Sequence, residues 1–160
     1  MKKLIFFIPV VLWMVIVFKF SNEPADTSQL TSLNITKKIV KIISKNEITD
    51  EKDELVQRVD KIVRKTAHYT LYAIGGFLIM IYIYQYKITE NKKILYSILT
   101  GSIYACTDEI HQVFIPGRTG EITDVCLDSL GVATGVCVCL LAIKIIRDIK
   151  LKINLKEKQN

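Results

Sequence analysis

The 160-residue sequence is poor in catalytic signatures. It has no Gly-x-Ser-x-Gly elbow, which removes the usual support for a serine hydrolase, and no His-Glu-x-x-His pattern to offer two imidazoles to zinc. No glycine-rich loop runs into Lys-Ser/Thr. The tetrad Asp108-Glu109-Ile110-His111 therefore imitates a helicase motif without a phosphate cradle and is set aside. The four cysteines, Cys106, Cys126, Cys137 and Cys139, fit no zinc-site spacing and are expected to be buried free thiols. There are two histidines, no internal repeat and no low-complexity tract beyond a general Ile/Lys bias. Asn34-Ile35-Thr36 matches a glycosylation sequon, a frequent accident that carries no weight.

The chain is instead rich in apolar residues, 50%, with 22 Lys/Arg against 16 Asp/Glu for a net charge of +6. This composition excludes a disordered tail, and the length suits one domain. A nucleic-acid-binding domain could carry that charge, but not a mean hydropathy of +0.29 with the apolar residues gathered in blocks. No nucleic-acid partner is implied.

Four blocks read as membrane spans, at about 4–20, 66–86, 94–115 and 124–146, followed by a basic tail at 147–160. The first is an uncharged run after Lys2-Lys3 with no small-residue cleavage site behind it, the layout of a signal anchor. The expected fold is all-α: a single polytopic domain over 1–160, a four-helix transmembrane bundle with an amphipathic interfacial segment between spans 1 and 2. Lys2 and Lys3, the loop lysines Lys87, Lys92 and Lys93, and the tail from Lys144 to Lys158 place both termini in the cytoplasm. The stretch from 21 to 65 is also basic and pulls the other way. Within it, Leu30, Leu33, Val40 and Ile43 share one helical face, and Leu55, Val56, Val59, Ile62 and Val63 share another. These helices suit either a membrane surface or the protein's own outer end. Residues 46–54 form a polar break between them, and Asp26 or Thr27 can cap the first.

Polar stripes run along the spans: His68, Tyr72, Gly75, Gly76 and Ile79 on the second, with Arg64 one turn before them; Gly101, Tyr104, Asp108, His111 and Gln112 on the third; Asp124, Asp128, Gly131, Gly135 and Cys139 on the fourth. Alternating direction brings the start of span 2, the end of span 3 and the start of span 4 to one membrane face. An acid at a span centre costs roughly 2.5–3.5 kcal/mol on insertion scales, so Asp108, Glu109 and Asp128 need partners. Arg64, Lys65, His68, His111 and Arg118 are available. Pro116-Gly117 and Gly120 make a tight turn or short re-entrant excursion, with Arg118 at its tip offering a planar fork to phosphate or carboxylate, or neutralising Asp124 or Asp128.

Three separated motifs resemble the VanZ-like family: Phe20-Ser21-Asn22-Glu23-Pro24-Ala25; Arg64-Lys65-Thr66-Ala67-His68-Tyr69 with Tyr72 and Gly75; and Asp108-Glu109-Ile110-His111-Gln112 through Phe114, Pro116-Gly117-Arg118, Gly120, Asp124-Val125, Asp128 and Gly131. Asn22, Glu23 and Tyr69 depart from the family's commoner residues. The resemblance implies a polytopic protein of the bacterial cell envelope, associated in some members with low-level teicoplanin resistance. It supplies no mechanism.

Three functions are open. In the first, the outward cluster binds an anionic group such as a lipid phosphate or cell-wall precursor headgroup, with Arg118, Arg64 and Lys65 on the anion and Gln112, Asp108, Asp124 and Asp128 around them. In the second, an intramembrane enzyme uses His111 or His68 as general base, oriented by Asp108 or Glu109, with Arg118 stabilising developing charge on a phosphoryl or acyl group. A divalent ion on Asp108, His111, Asp124 and Asp128 is a variant, although no metal or cofactor can be assigned from these residues alone. In the third, the cluster only fixes helix assembly in a structural or regulatory partner of other membrane proteins. Membrane lipids are the one partner common to all three.

Overall fold

Every apolar block becomes a helix, and two helices extend well beyond their block, one before it and one after it. The computed structural model describes residues 2–44 and 54–157, and the described residues contain no strand. The helices are α1 (Lys2–Ser21), α2 (Ala25–Ser44), α3 (Glu54–Tyr84), α4 (Glu90–Gln112) and α5 (Ile122–Glu157). The amphipathic run 55–63 joins the second apolar block as one 31-residue helix, because no Gly or Pro interrupts the backbone where hydropathy changes. In the same way α5 continues 36 residues into the basic tail. Residues 46–53 of the expected polar break lie outside the described residues. α2 starts at Ala25, so Asp26 sits inside its first turn, where its charge meets the helix dipole.

Among the described residues, three helices are long and apolar enough to cross a membrane: Lys3–Ser21, Glu54–Tyr84 and Ile122–Leu155. α4, expected as the third of four spans, is not among them. Its polarity explains this: the buried face is Ser97, Gly101, Ala105, Asp108, Glu109 and Gln112, while Leu95, Leu99, Ile103 and Ile110 are exposed. The helix is polar toward its neighbours and apolar outward.

α3 and α5 form the principal interface. Small residues make it possible: a Cβ on Gly135 would stand 1.8 Å from the Ala73 carbonyl oxygen, and one on Gly76 2.2 Å from that of Val132. α1 docks on this pair through Trp13, whose indole Nε1 donates to the Leu71 carbonyl at 2.8 Å and whose ring occupies the space beside Gly75. Val10, Trp13 and Val17 join Tyr72, Ile79, Ala105 and Val132 in the central core. Of the cysteines, all free, only Cys139 is buried; Cys106, Cys126 and Cys137 face outward, correcting the expectation of buried thiols. An outward face in a membrane accepts a small apolar thiol as readily as the interior does.

α2 packs on the first half of α3 through Leu33, Val40 and Val56. Inside this contact the Thr36 hydroxyl donates to Asp60 Oδ1 at 3.1 Å, with both side chains buried. Thr36→Val keeps the shape and removes the donor. It should therefore lower stability by about 1–3 kcal/mol, the cost of an unsatisfied buried acceptor, and expose α2 to proteolysis first. Thermal unfolding in detergent with limited proteolysis tests this, and an unchanged midpoint refutes it.

Candidate functional site

The polar stripes converge at one end of the bundle. A cavity of about 320 Å³ opens between the first half of α3, the end of α4, the 113–121 loop and the starts of α2 and α5. Eight of the ten singled-out side chains line it: Arg64, Lys65, His68, Glu109, Gln112, Arg118, Asp124 and Asp128. Asp108 sits behind the wall, accepting from the Tyr72 hydroxyl at 3.1 Å and from Gln112 Nε2 at 3.3 Å. His111 lies apart. Its ring stacks on Phe18 of α1 with centroids 4.8 Å apart, and its Nε2 is buried without a hydrogen-bond partner.

Most of the acids are occupied. Lys65 bonds Asp124 and lies 3.7 Å from Glu121. Glu109 Oε2 accepts the Glu121 backbone N–H at 3.1 Å, just before α5 begins, so this carboxylate steadies a helix N-terminus. Asp60 is held by Thr36. Asp128 differs: it is fully buried, His68 Nδ1 is 3.7 Å from its Oδ2, and neither oxygen has a hydrogen bond.

The two guanidinium groups make no ion pair among the described residues. Ile115-Pro116-Gly117-Arg118 closes a type II turn, with Arg118 N–H on the Ile115 carbonyl at 3.1 Å and Gly117 at φ 75°. The turn is tight rather than re-entrant. It sends Arg118 back onto the α1–α2 junction, where Nε donates to the Glu23 carbonyl and Nη2 to that of Phe20, each at 3.0 Å. Arg118 thus neutralises neither Asp124 nor Asp128 by contact. Burial and then the neighbouring Arg64 pull its pKa below the usual guanidinium value. Arg64 itself has no hydrogen bond or ion pair among the described residues. Two guanidinium groups therefore line one cavity, and neither makes an ion pair with a carboxylate among the described residues.

No three His, Cys, Asp or Glu side chains among the described residues are placed to share a metal ion, so the set Asp108, His111, Asp124 and Asp128 is not assembled. The physical reason is the split of α4: Asp108 faces α3 through Tyr72, whereas His111 faces α1 through Phe18. Sequence reasoning missed Asp60, Lys61, Gln29 and Glu121 as cavity residues. Asp60 and Arg64 precede His68 at steps of four, so the stripe was readable one helical turn further back than it was drawn.

These features define a helical membrane protein whose bundle opens at one end into a charged, partly enclosed cavity. The chain matches the VanZ/LLP1 family over residues 6–144 and belongs to it. No curated protein and no solved structure matches. Two of the motifs that carried the resemblance meet in space: Arg118 bonds the backbone at Phe20 and Glu23, and the Ala25 N–H reaches the Pro116 carbonyl at 3.3 Å. Because these contacts use main-chain atoms of the first motif, its departures at Asn22 and Glu23 leave them intact.

Proposed function

We propose that this is a multi-pass protein of the cell membrane that holds the phosphate or carboxylate of a membrane lipid or lipid-linked cell-wall precursor in the cavity. In this reading α4 also crosses, with Leu95, Leu99, Ile103 and Ile110 against lipid, and both termini are cytoplasmic. The observation that carries it is the pair Arg64 and Arg118, which line one cavity without a carboxylate partner. An anion between them relieves like-charge repulsion and supplies acceptors to free N–H groups. Any contribution to teicoplanin tolerance would follow from handling such a precursor.

The test is the lipid that copurifies. Mass spectrometry of extracts should find an anionic lipid enriched with the native protein and reduced about tenfold in Arg64→Gln, the effect of one charge-assisted hydrogen bond. Unchanged lipid content in both Arg64→Gln and Arg118→Ala would assign the cluster to helix assembly alone.

The His68–Asp128 pair favours a second reading, hydrolysis or transfer at the same headgroup. Asp128 would orient His68, and His68 Nε2, free among the described residues, would take a proton from the attacking group. Turnover of a lipid phosphate that is lost in His68→Asn, with unchanged elution on size exclusion, supports this. Full turnover by that variant rejects it.

A further inference from the structure

A second concavity lies beside the cavity and shares lining residues with it. A groove of about 520 Å³ lies between α3 and α5, walled by Ile62, Thr66, Tyr69 and Leu127 and by the stems of Lys61 and Lys65. Lys61, Lys65 and Leu127 line the charged cavity as well, so the two spaces share a wall. The ammonium of Lys65 is drawn to Asp124 and Glu121 on the cavity side, which leaves its methylenes to the groove. Over the same turns of α3 one face gives charged residues to the cavity and the adjacent face gives the groove Ile62, Thr66 and Tyr69, with Arg58 also in its lining.

A free anion has no use for the groove, whereas an amphiphile needs both spaces. We propose that the ligand is an anionic lipid: its headgroup enters the cavity while one hydrocarbon chain lies in the groove along Ile62, Thr66 and Tyr69, reached sideways from the bilayer. The inference rests on the anion-binding reading and adds the chain and the direction of entry. A chain in the bilayer is already out of water, so the groove contributes orientation and packing. Selection among lipids stays with the guanidinium groups.

The experiment uses the full chain in phosphatidylcholine nanodiscs carrying a little phosphatidic acid with a photoactivatable group on its acyl chain. Cross-links should concentrate on residues 62–69 and around Leu127, about tenfold above those from the same probe with a choline headgroup. They should fall in Arg64→Gln and in Thr66→Trp, which fills the groove. Ile62→Trp serves as a second blocking variant if Thr66→Trp does not fold. Soluble glycerol phosphate in excess should compete the groove cross-links away. If glycerol phosphate binds in an Arg64-dependent manner while cross-links spread evenly over the outer surface with either headgroup, the groove assignment is overturned and the cavity reading stands. If neither glycerol phosphate nor phosphatidic acid binds, both fall.

Discussion

Gly135→Leu is expected to leave little folded protein. The missing side chain makes room for backbone, with the Ala73 carbonyl oxygen 1.8 Å and the Phe77 nitrogen 2.8 Å from an added Cβ. No rotamer relieves a clash between two helix backbones, so α3 and α5 must separate along their main interface. Overpacking a core costs typically about 1–3 kcal/mol, and a backbone obstruction belongs at or above the top of that range. Gly120→Ala is the contrasting change, since its nearest obstacle at 2.7 Å is the movable Val113 Cγ2. Fluorescence-detected size exclusion with thermal midpoints in detergent should show Gly135→Leu aggregated and Gly120→Ala only modestly shifted. A Gly135→Leu protein with native elution and midpoint contradicts this account of the interface.

On the anion-binding reading, Arg118→Ala should weaken anion retention at least about tenfold and loosen the cavity rim as well. The substitution removes one of two unpaired guanidinium groups together with the donors to the Glu23 and Phe20 carbonyls. A hydrogen bond to a charged group contributes about 1.5–3 kcal/mol; the Phe20 bond, being exposed, counts for less. Binding should therefore fall at least about tenfold, and the 113–121 loop should become the first protease site. Arg118→Lys should restore little, because a single ammonium cannot span two carbonyls and still face an anion. Although burial and Arg64 lower the pKa of Arg118, a guanidinium still keeps its charge throughout the physiological range, so its contribution should be flat with pH. Anion retention measured against pH and salt tests both variants. Recovery by Arg118→Lys would show that charge alone suffices.

The sequence disclosed composition and periodicity better than it disclosed continuity. The runs at 4–20 and 124–146 and the glycine stripes were legible because apolar length and small-residue spacing are properties of the chain itself. The long α3 was divided in two because hydropathy changes near Thr66 while the backbone does not. The convergence of Arg64, His68, Glu109 and Asp128 followed from alternating helix direction. Which side of α4 each polar residue takes did not follow: Asp108 and His111 are one turn apart, yet they meet different helices. Arg118 was recognisable as a candidate anion ligand, but its anchoring to two main-chain oxygens depends on a chain crossing that no side-chain pattern records.

The inverted polarity of α4 has a consequence for biogenesis. With Asp108, Glu109 and Gln112 on its buried face, α4 taken alone carries acids and amides that a bilayer rejects. On the four-crossing reading it must enter while α3 or α5 already shields that face. The Glu121 N–H on Glu109, with the broader packing of α4 on α5 than on α3, makes α5 the main escort. Insertion of α4 is then a cooperative step. Interrupting synthesis before α5 emerges should leave α4 outside the membrane, a result that glycosylation-site or cysteine-accessibility mapping of truncated chains would read directly.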